Sequence, residues 1–168
     1  MFNKIDTLTE TEFVEVFGNI FENASWIAVK LYKQKPFNDF NNLCEKMISI
    51  FENTDNQSKL KILNSHPDLA NKTKIGSLTP DSNKEQATAR LDQCSEEEFN
   101  EFKNLNLKYK NTFGFPFILA VKGKNKLEIL INFKKRILSD KKIEFEEAII
   151  QVKQVASLRL DELKNKLL

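Results

Sequence analysis

Between residues 143 and 167, the apolar side chains of Phe145, Ile149, Val152, Ala156, Leu160, Leu163 and Leu167 follow one another at gaps of 4, 3, 4, 4, 3 and 4. Side chains three and four apart share one face only in a helix, so this stretch predicts a long amphipathic helix whose stripe turns toward other helices. The same spacing recurs almost everywhere in the 168 residues. Turn residues are scarce by contrast: 4 Gly and 4 Pro are too few for an all-β sandwich or a glycine-rich phosphate-binding fold. The expected fold class is therefore all-α, six to nine helices in a single-domain multi-helix bundle over residues 1–168. No repeat, linker or low-complexity tract divides the chain.

The breaks between apolar runs carry cap chemistry. Thr9 and Glu12 have capping-box spacing and open a short helix that Gly18 closes. A second helix is expected at 24–34, a third at 37–52 after Pro36, and a fourth at 56–64. Pro67 favours a fresh helical start through Asp68, Leu69 and Ala70, stopped by Gly76. Residues 77–81 read as loop, and Ser82 with Glu85 reads as a second capping box before a helix holding Ala87, Ala89 and Leu91. Ser95 with Glu98 opens a further helix that runs to Gly114, and two more are expected at 125–139 and 143–167. Phe115-Pro116-Phe117-Ile118-Leu119-Ala120-Val121 is the one uncharged run in a charge-rich chain. It must be buried or line something.

Lys and Arg total 26 against 24 Asp and Glu, a net charge of +2, and the basic clusters lie among acids. That argues against nucleic acid as a partner, since a binder of phosphate backbones carries a stronger one-sided excess. No stretch approaches 18 uncharged apolar residues, and the opening residues have no apolar signal core, so neither membrane nor secretion is expected and the location is read as cytoplasmic. Cys44 and Cys94 stand 50 apart, which fits neither a redox pair nor zinc ligands, and they read as core residues.

His66 is the only histidine, placed in the breaker sequence Ser65-His66-Pro67-Asp68. Proline disfavours helical angles at the residue before it, which restricts the imidazole's orientation. As the side chain whose unperturbed pKa lies near neutrality, it reads either as a proton donor or as an ordinary surface residue at a helix start. A lone histidine cannot supply the three or four ligands of a zinc site, so no metal is expected. Glu85 either bonds its own cap or turns to a ligand. Arg159, beside the apolar stripe of the last helix, either snorkels to water or meets an anion in a cleft.

His66-Pro67-Asp68-Leu69-Ala70, Leu78-Thr79, Ser82-Asn83-Lys84-Glu85-Gln86 and Phe113-Gly114-Phe115-Pro116-Phe117-Ile118 together resemble the OHCU decarboxylase family, whose members act on 2-oxo-4-hydroxy-4-carboxy-5-ureidoimidazoline in uric acid degradation. The resemblance also takes in Phe17-Gly18, Trp26, Leu105-Asn106, Tyr109 and Arg159-Leu160. It implies a helical homodimer with a substrate cleft between helices, and cofactor-free decarboxylation to (S)-allantoin. It further implies His66 as catalytic acid with Glu85 beside it. Pro67, Ser82, Asn83, Lys84, Gln86 and the backbone of Phe117, Ile118, Leu119, Ala120 and Val121 would surround the substrate, with Arg159 facing its anionic part. Departures fall at Ser77 to Ser82, Thr88 and Arg90, where the family carries other residues. The competing reading is a non-catalytic helical protein-interaction module that docks a partner on residues 115–121.

Overall fold

The computed structural model describes residues 3–70 and 80–167, apart from the side chains of Asn3, Asn83 and Thr88. Among the described residues every regular element is helical, in agreement with the all-α expectation. The chain divides into two compact units, residues 1–62 with 153–168 and residues 63–152.

The first unit contains α1 (Asn3–Asp6), α2 (Glu10–Phe17), α3 (Trp26–Tyr32), α4 (Phe40–Glu52), the start of α5 (Asn56–Ser65) and the end of α9 (Lys141–Leu167). The expected box opens α2: the Thr9 N–H donates to Glu12 Oε2 at 2.8 Å, and the Glu12 N–H donates to Thr9 Oγ1 at 3.3 Å. Gly18 follows it as the C-cap, its N–H donating to the Val14 carbonyl at 2.7 Å, and a Cβ there would stand 2.4 Å from that oxygen. Asp39 caps α4 by accepting from the Asn42 N–H at 2.7 Å. The three helices α2, α3 and α4 pack in succession around an aromatic core. Phe13 and Phe17 lie 4.5 Å apart between ring centroids, and Phe21 stacks on Phe51 at 4.8 Å. Each such ring, once fully buried, contributes about 1.5–3 kcal/mol of transfer free energy.

Cys44 lies half-buried on α4, as a free thiol. Burial pushes its pKa from 9.0 up to about 11, with the nearby Asp161 carboxylate adding to the effect. The thiolate is the reactive species, so at pH 8 its population in the folded chain falls roughly 100-fold. Iodoacetamide should therefore alkylate Cys44 at pH 8 far more slowly in the native protein than in urea, and equal rates would contradict this.

The second unit contains α6 (Pro80–Thr88), a single 3-10 turn (Leu91–Gln93), α7 (Glu96–Phe113), α8 (Lys126–Arg136) and the start of α9. Ser95 caps α7 by accepting from the Glu98 N–H at 3.2 Å, and Gly114 closes it at φ +83°, a left-handed angle that glycine adopts without penalty. Asn125 and Glu128 form a capping box at the start of α8. Phe102, Asn106, Tyr109 and Phe113 form the buried face of α7. Around Tyr109 the rings of Phe113, Phe115, Phe117 and Phe133 gather with centroids 4.5–5.9 Å away, and Phe117 stacks on Phe133 at 3.9 Å. The run from Phe115 to Val121 is non-helical beyond Gly114 and wholly buried, as its lack of charge requires. That burial removes it as an exposed surface on which a partner could dock.

Three expectations are corrected. No helix starts at Pro67: the chain is irregular through Asp68, and Ala70 takes a left-handed φ of +54°. The rest of that expected helix, to Gly76, lies outside the described residues. Ser82 is not a cap, because α6 starts two residues earlier at Pro80, whose fixed φ suits the first helical position. That helix also ends before Leu91, since Arg90 is left-handed at φ +58° and points to solvent. Finally, the buried line of α9 runs through Glu144, Ala148, Gln151, Val152, Val155, Ala156, Arg159 and Leu160, while Phe145, Ile149 and Leu163 are only half-buried and Leu167 is exposed. Polar residues share the inner face, which an apolar pattern passes over.

No helix among the described residues is long and apolar enough to cross a membrane.

Candidate active site

His66 sits where α5 runs out. Its N–H donates to the Leu63 carbonyl at 3.1 Å, completing the last turn, and Pro67 has no N–H with which to continue. The side chains of His66, Pro67 and Asp68 are half-buried, and Leu69 and Ala70 are buried.

Because the backbone after Pro67 is not helical, its polar groups need other partners. Two helices supply them. From α6, the Gln86 side chain takes both ends of the turn: its Oε1 accepts from the Ala70 N–H at 3.1 Å and its Nε2 donates to the Asp68 carbonyl at 3.3 Å. From α7, Asn106 Nδ2 donates to the Leu69 carbonyl at 2.9 Å, and Lys110 Nζ pairs with the Asp68 carboxylate at 2.8 Å.

Ser82 and Gln86 lie one turn apart on the buried side of α6, with Glu85 half-buried beside them and Lys84 exposed. With Ser82 inside the helix, Glu85 is not the third residue of a capping box, so its capping reading is overturned. The Asn83 side chain lies outside the described residues.

The segment from Phe117 to Val121 is held from α8 and α9. Arg136 NH1 donates to the Ile118 carbonyl at 2.6 Å, and its guanidinium carbon stands 4.4 Å from the centroid of the Phe117 ring. The Ala120 N–H donates to Gln151 Oε1 at 2.9 Å. Lys124 bonds the Ala120 carbonyl with its Nζ at 3.2 Å and the Val121 carbonyl with its N–H at 3.0 Å. Arg136 is in turn fixed by Glu144, whose Oε1 accepts from Nε at 2.7 Å and from the Tyr109 hydroxyl. Glu144 is 1% exposed, so this is a buried charge pair with a phenol as third member. Burial and the Glu144 carboxylate both push the Tyr109 phenol above its ordinary pKa.

Arg159 belongs to the first unit and is 6% exposed, which overturns the snorkelling alternative. The anion it meets there is Glu22, at 3.0 Å, and its NH1 also donates to the carbonyls of Asn19 and Ile20 at 3.2 and 3.4 Å. Sequence reasoning passed over Glu22, Arg136, Glu144 and Gln151, and named Asn106 only within the resemblance. The available signal was position: Glu144, Gln151 and Arg159 fall at helical spacing in register with Ala148 and Val155. Among the described residues no three His, Cys, Asp or Glu side chains converge as a metal site requires.

The family model described as OHCU decarboxylase matches residues 6–161. A 2-oxo-4-hydroxy-4-carboxy-5-ureidoimidazoline decarboxylase of Haloferax volcanii is 34% identical over 159 residues, covering 95% of this chain and 93% of that protein. The uric acid degradation bifunctional protein PucL of Bacillus subtilis is 38% identical over 94% of this chain, but the chain spans only 31% of its length. A crystal structure of OHCU decarboxylase in the presence of (S)-allantoin superposes with a TM-score of 0.68 and 26% identity, covering 83% of this chain and 90% of that one.

Proposed function

The chain belongs to the OHCU decarboxylase family, and from that premise we propose that it converts 2-oxo-4-hydroxy-4-carboxy-5-ureidoimidazoline to (S)-allantoin in urate breakdown. The observation that carries this reading is the match across residues 6–161, which includes the His66 loop and the buried segment after Pro116.

The chemistry asks for little beyond a held substrate and a proton. When the bond to the carboxylate breaks, CO2 leaves and the electron pair moves between the hydroxyl-bearing and ureido-bearing carbons, while the ring C=N takes up electrons and a proton at nitrogen. The enediamine-like intermediate then gains a proton at the ureido-bearing carbon and loses its hydroxyl proton, becoming allantoin. The ring is its own electron sink. What the protein adds is control of which face of that carbon receives the proton.

His66 is the proposed donor. In support, it is half-buried on a loop whose next residues are held by side chains from two helices. Glu85 is proposed to orient the imidazole or the urea N–H groups. Glu85→Gln should lower kcat by at least about 10-fold in the folded protein. Wild-type kcat in a folded Glu85→Gln protein would remove Glu85 from the mechanism. Ser82, Asn83, Lys84, Gln86, Pro67 and the backbone of residues 117–121 are proposed to line the substrate. Arg159 is proposed as counterion to its anionic part.

A homodimer acting in the cytoplasm is the proposed assembly. In support of self-association, Leu127 and Ile131 lie one turn apart on α8 with 66% and 58% of their surface exposed.

The test is the rate at which freshly generated substrate disappears. Acceleration over the spontaneous decay, lost on boiling the protein, is expected; an unchanged decay with folded protein would overturn the proposal.

A further inference from the structure

We propose that Asn106, seconded by Lys110, is a positioning residue for His66, acting through the carbonyl of Leu69 and the carboxylate of Asp68; this rests on the decarboxylase reading above. The two lie one turn apart on α7 and reach consecutive residues of the loop, Asn106 to the Leu69 carbonyl at 2.9 Å and Lys110 to Asp68 at 2.8 Å. The loop has no ladder of its own. Ala70 is held left-handed at φ +54°, a conformation a residue with a Cβ keeps only when its surroundings over-determine it. Gln86 clamps the loop from α6, but it reaches Asp68 through the carbonyl and Ala70 through the N–H, leaving the Leu69 carbonyl to Asn106. A single peptide plane of the turn therefore has its orientation set from α7.

The amide of Asn106 carries a second indication. The residue is 5% exposed, and its Oδ1 is buried without a hydrogen-bond partner among the described residues. An unmet buried acceptor costs stability, and an apolar residue of similar size would avoid that cost. What the amide alone provides is a donor aimed at Leu69. The direction of the amide is set by that contact, since the opposite orientation would face one oxygen with another.

A general acid works only at hydrogen-bond reach of the atom it protonates, and a misplacement of about 1 Å costs on the order of 10²-fold in rate. Releasing the Leu69 carbonyl should therefore lower kcat while leaving KM near its original value. The decisive variant is Asn106→Asp, which has the same shape and keeps an acceptor but presents oxygen to oxygen at Leu69. Its expected kcat is about 10²-fold below wild type, with a displaced pH profile and some loss of product handedness. Lys110→Met, at a half-exposed position, keeps the stem and removes only the charge; it should lower kcat several-fold with melting unchanged.

A merely structural Asn106 would lower melting and leave the kcat and pH profile of the folded protein intact, and that result overturns the proposal. If Asn106→Asp does not fold, Lys110→Met decides, and wild-type kcat in it overturns the proposal equally. A wild-type chain that fails to accelerate decarboxylation would instead refute the decarboxylase reading, before any variant is compared.

Discussion

His66→Gln is expected to keep the helical circular-dichroism spectrum and to lose about 10²–10⁴-fold of turnover, the range a positioned general acid supplies. In barrier terms that is roughly 3–5 kcal/mol. Glutamine retains a polar head of similar reach but holds no transferable proton near neutrality, so the change isolates proton delivery from packing. Folding should survive because the loop is secured further along, by Gln86 on Asp68 and Ala70 and by Asn106 on Leu69. Steady-state kcat per folded molecule, with folding checked by ellipticity, measures it. A variant as fast as wild type would dismiss His66 as the acid.

The largest stability effect is expected at Glu144, in the second unit. Glu144→Ala leaves the Arg136 guanidinium buried without its carboxylate and the Tyr109 hydroxyl without its acceptor. Breaking a buried pair by removing one member costs about 3–5 kcal/mol, because the remaining charge stays desolvated. For a chain of this length that is a fall in melting temperature of about 6–20 °C. The double change Arg136→Met with Glu144→Leu should recover much of it, since an apolar replacement of a buried pair is often neutral. The Ile118 carbonyl would still lack its donor and the Tyr109 hydroxyl its acceptor, so the double variant should melt between Glu144→Ala and wild type and turn over more slowly than wild type. Thermal melts and kcat together check this; a Glu144→Ala melt within 2 °C of wild type would contradict it.

The same network sets an alkaline limit. With the Tyr109 phenol pushed above its ordinary 10.0, the unfolded chain ionises it first. Its contribution is therefore complete below pH 10 and is lost as pH rises past that value in the unfolded state toward the higher one in the folded state.

Much of the helical order was legible because its signals are local. The Thr9–Glu12 box, the Ser95 cap and the Gly114 stop all lie within four residues of what they control. The failures share a cause as well. Pro80 and Ser82 both offer helix starts two residues apart, and proline's fixed φ prevails over the serine cap. At Leu69 and Ala70 the backbone is held by Asn106 and Gln86, 37 and 16 residues further along the chain, and no local pattern encodes that. Glu22, Arg136 and Glu144 are buried because each neutralises or holds another group, so reading charge as exposure misplaces them. Of the candidate site, the motifs carried what was legible: Gln86 of the second motif bonds Asp68 and Ala70 of the first.

Optical activity of the allantoin formed from freshly oxidised urate tests the central claim most directly. Spontaneous decay yields racemate, so an excess of the (S) product that requires this chain, and that disappears with His66→Gln, is the predicted result. Racemic product, formed at the spontaneous rate in the presence of the folded wild-type chain, would contradict it.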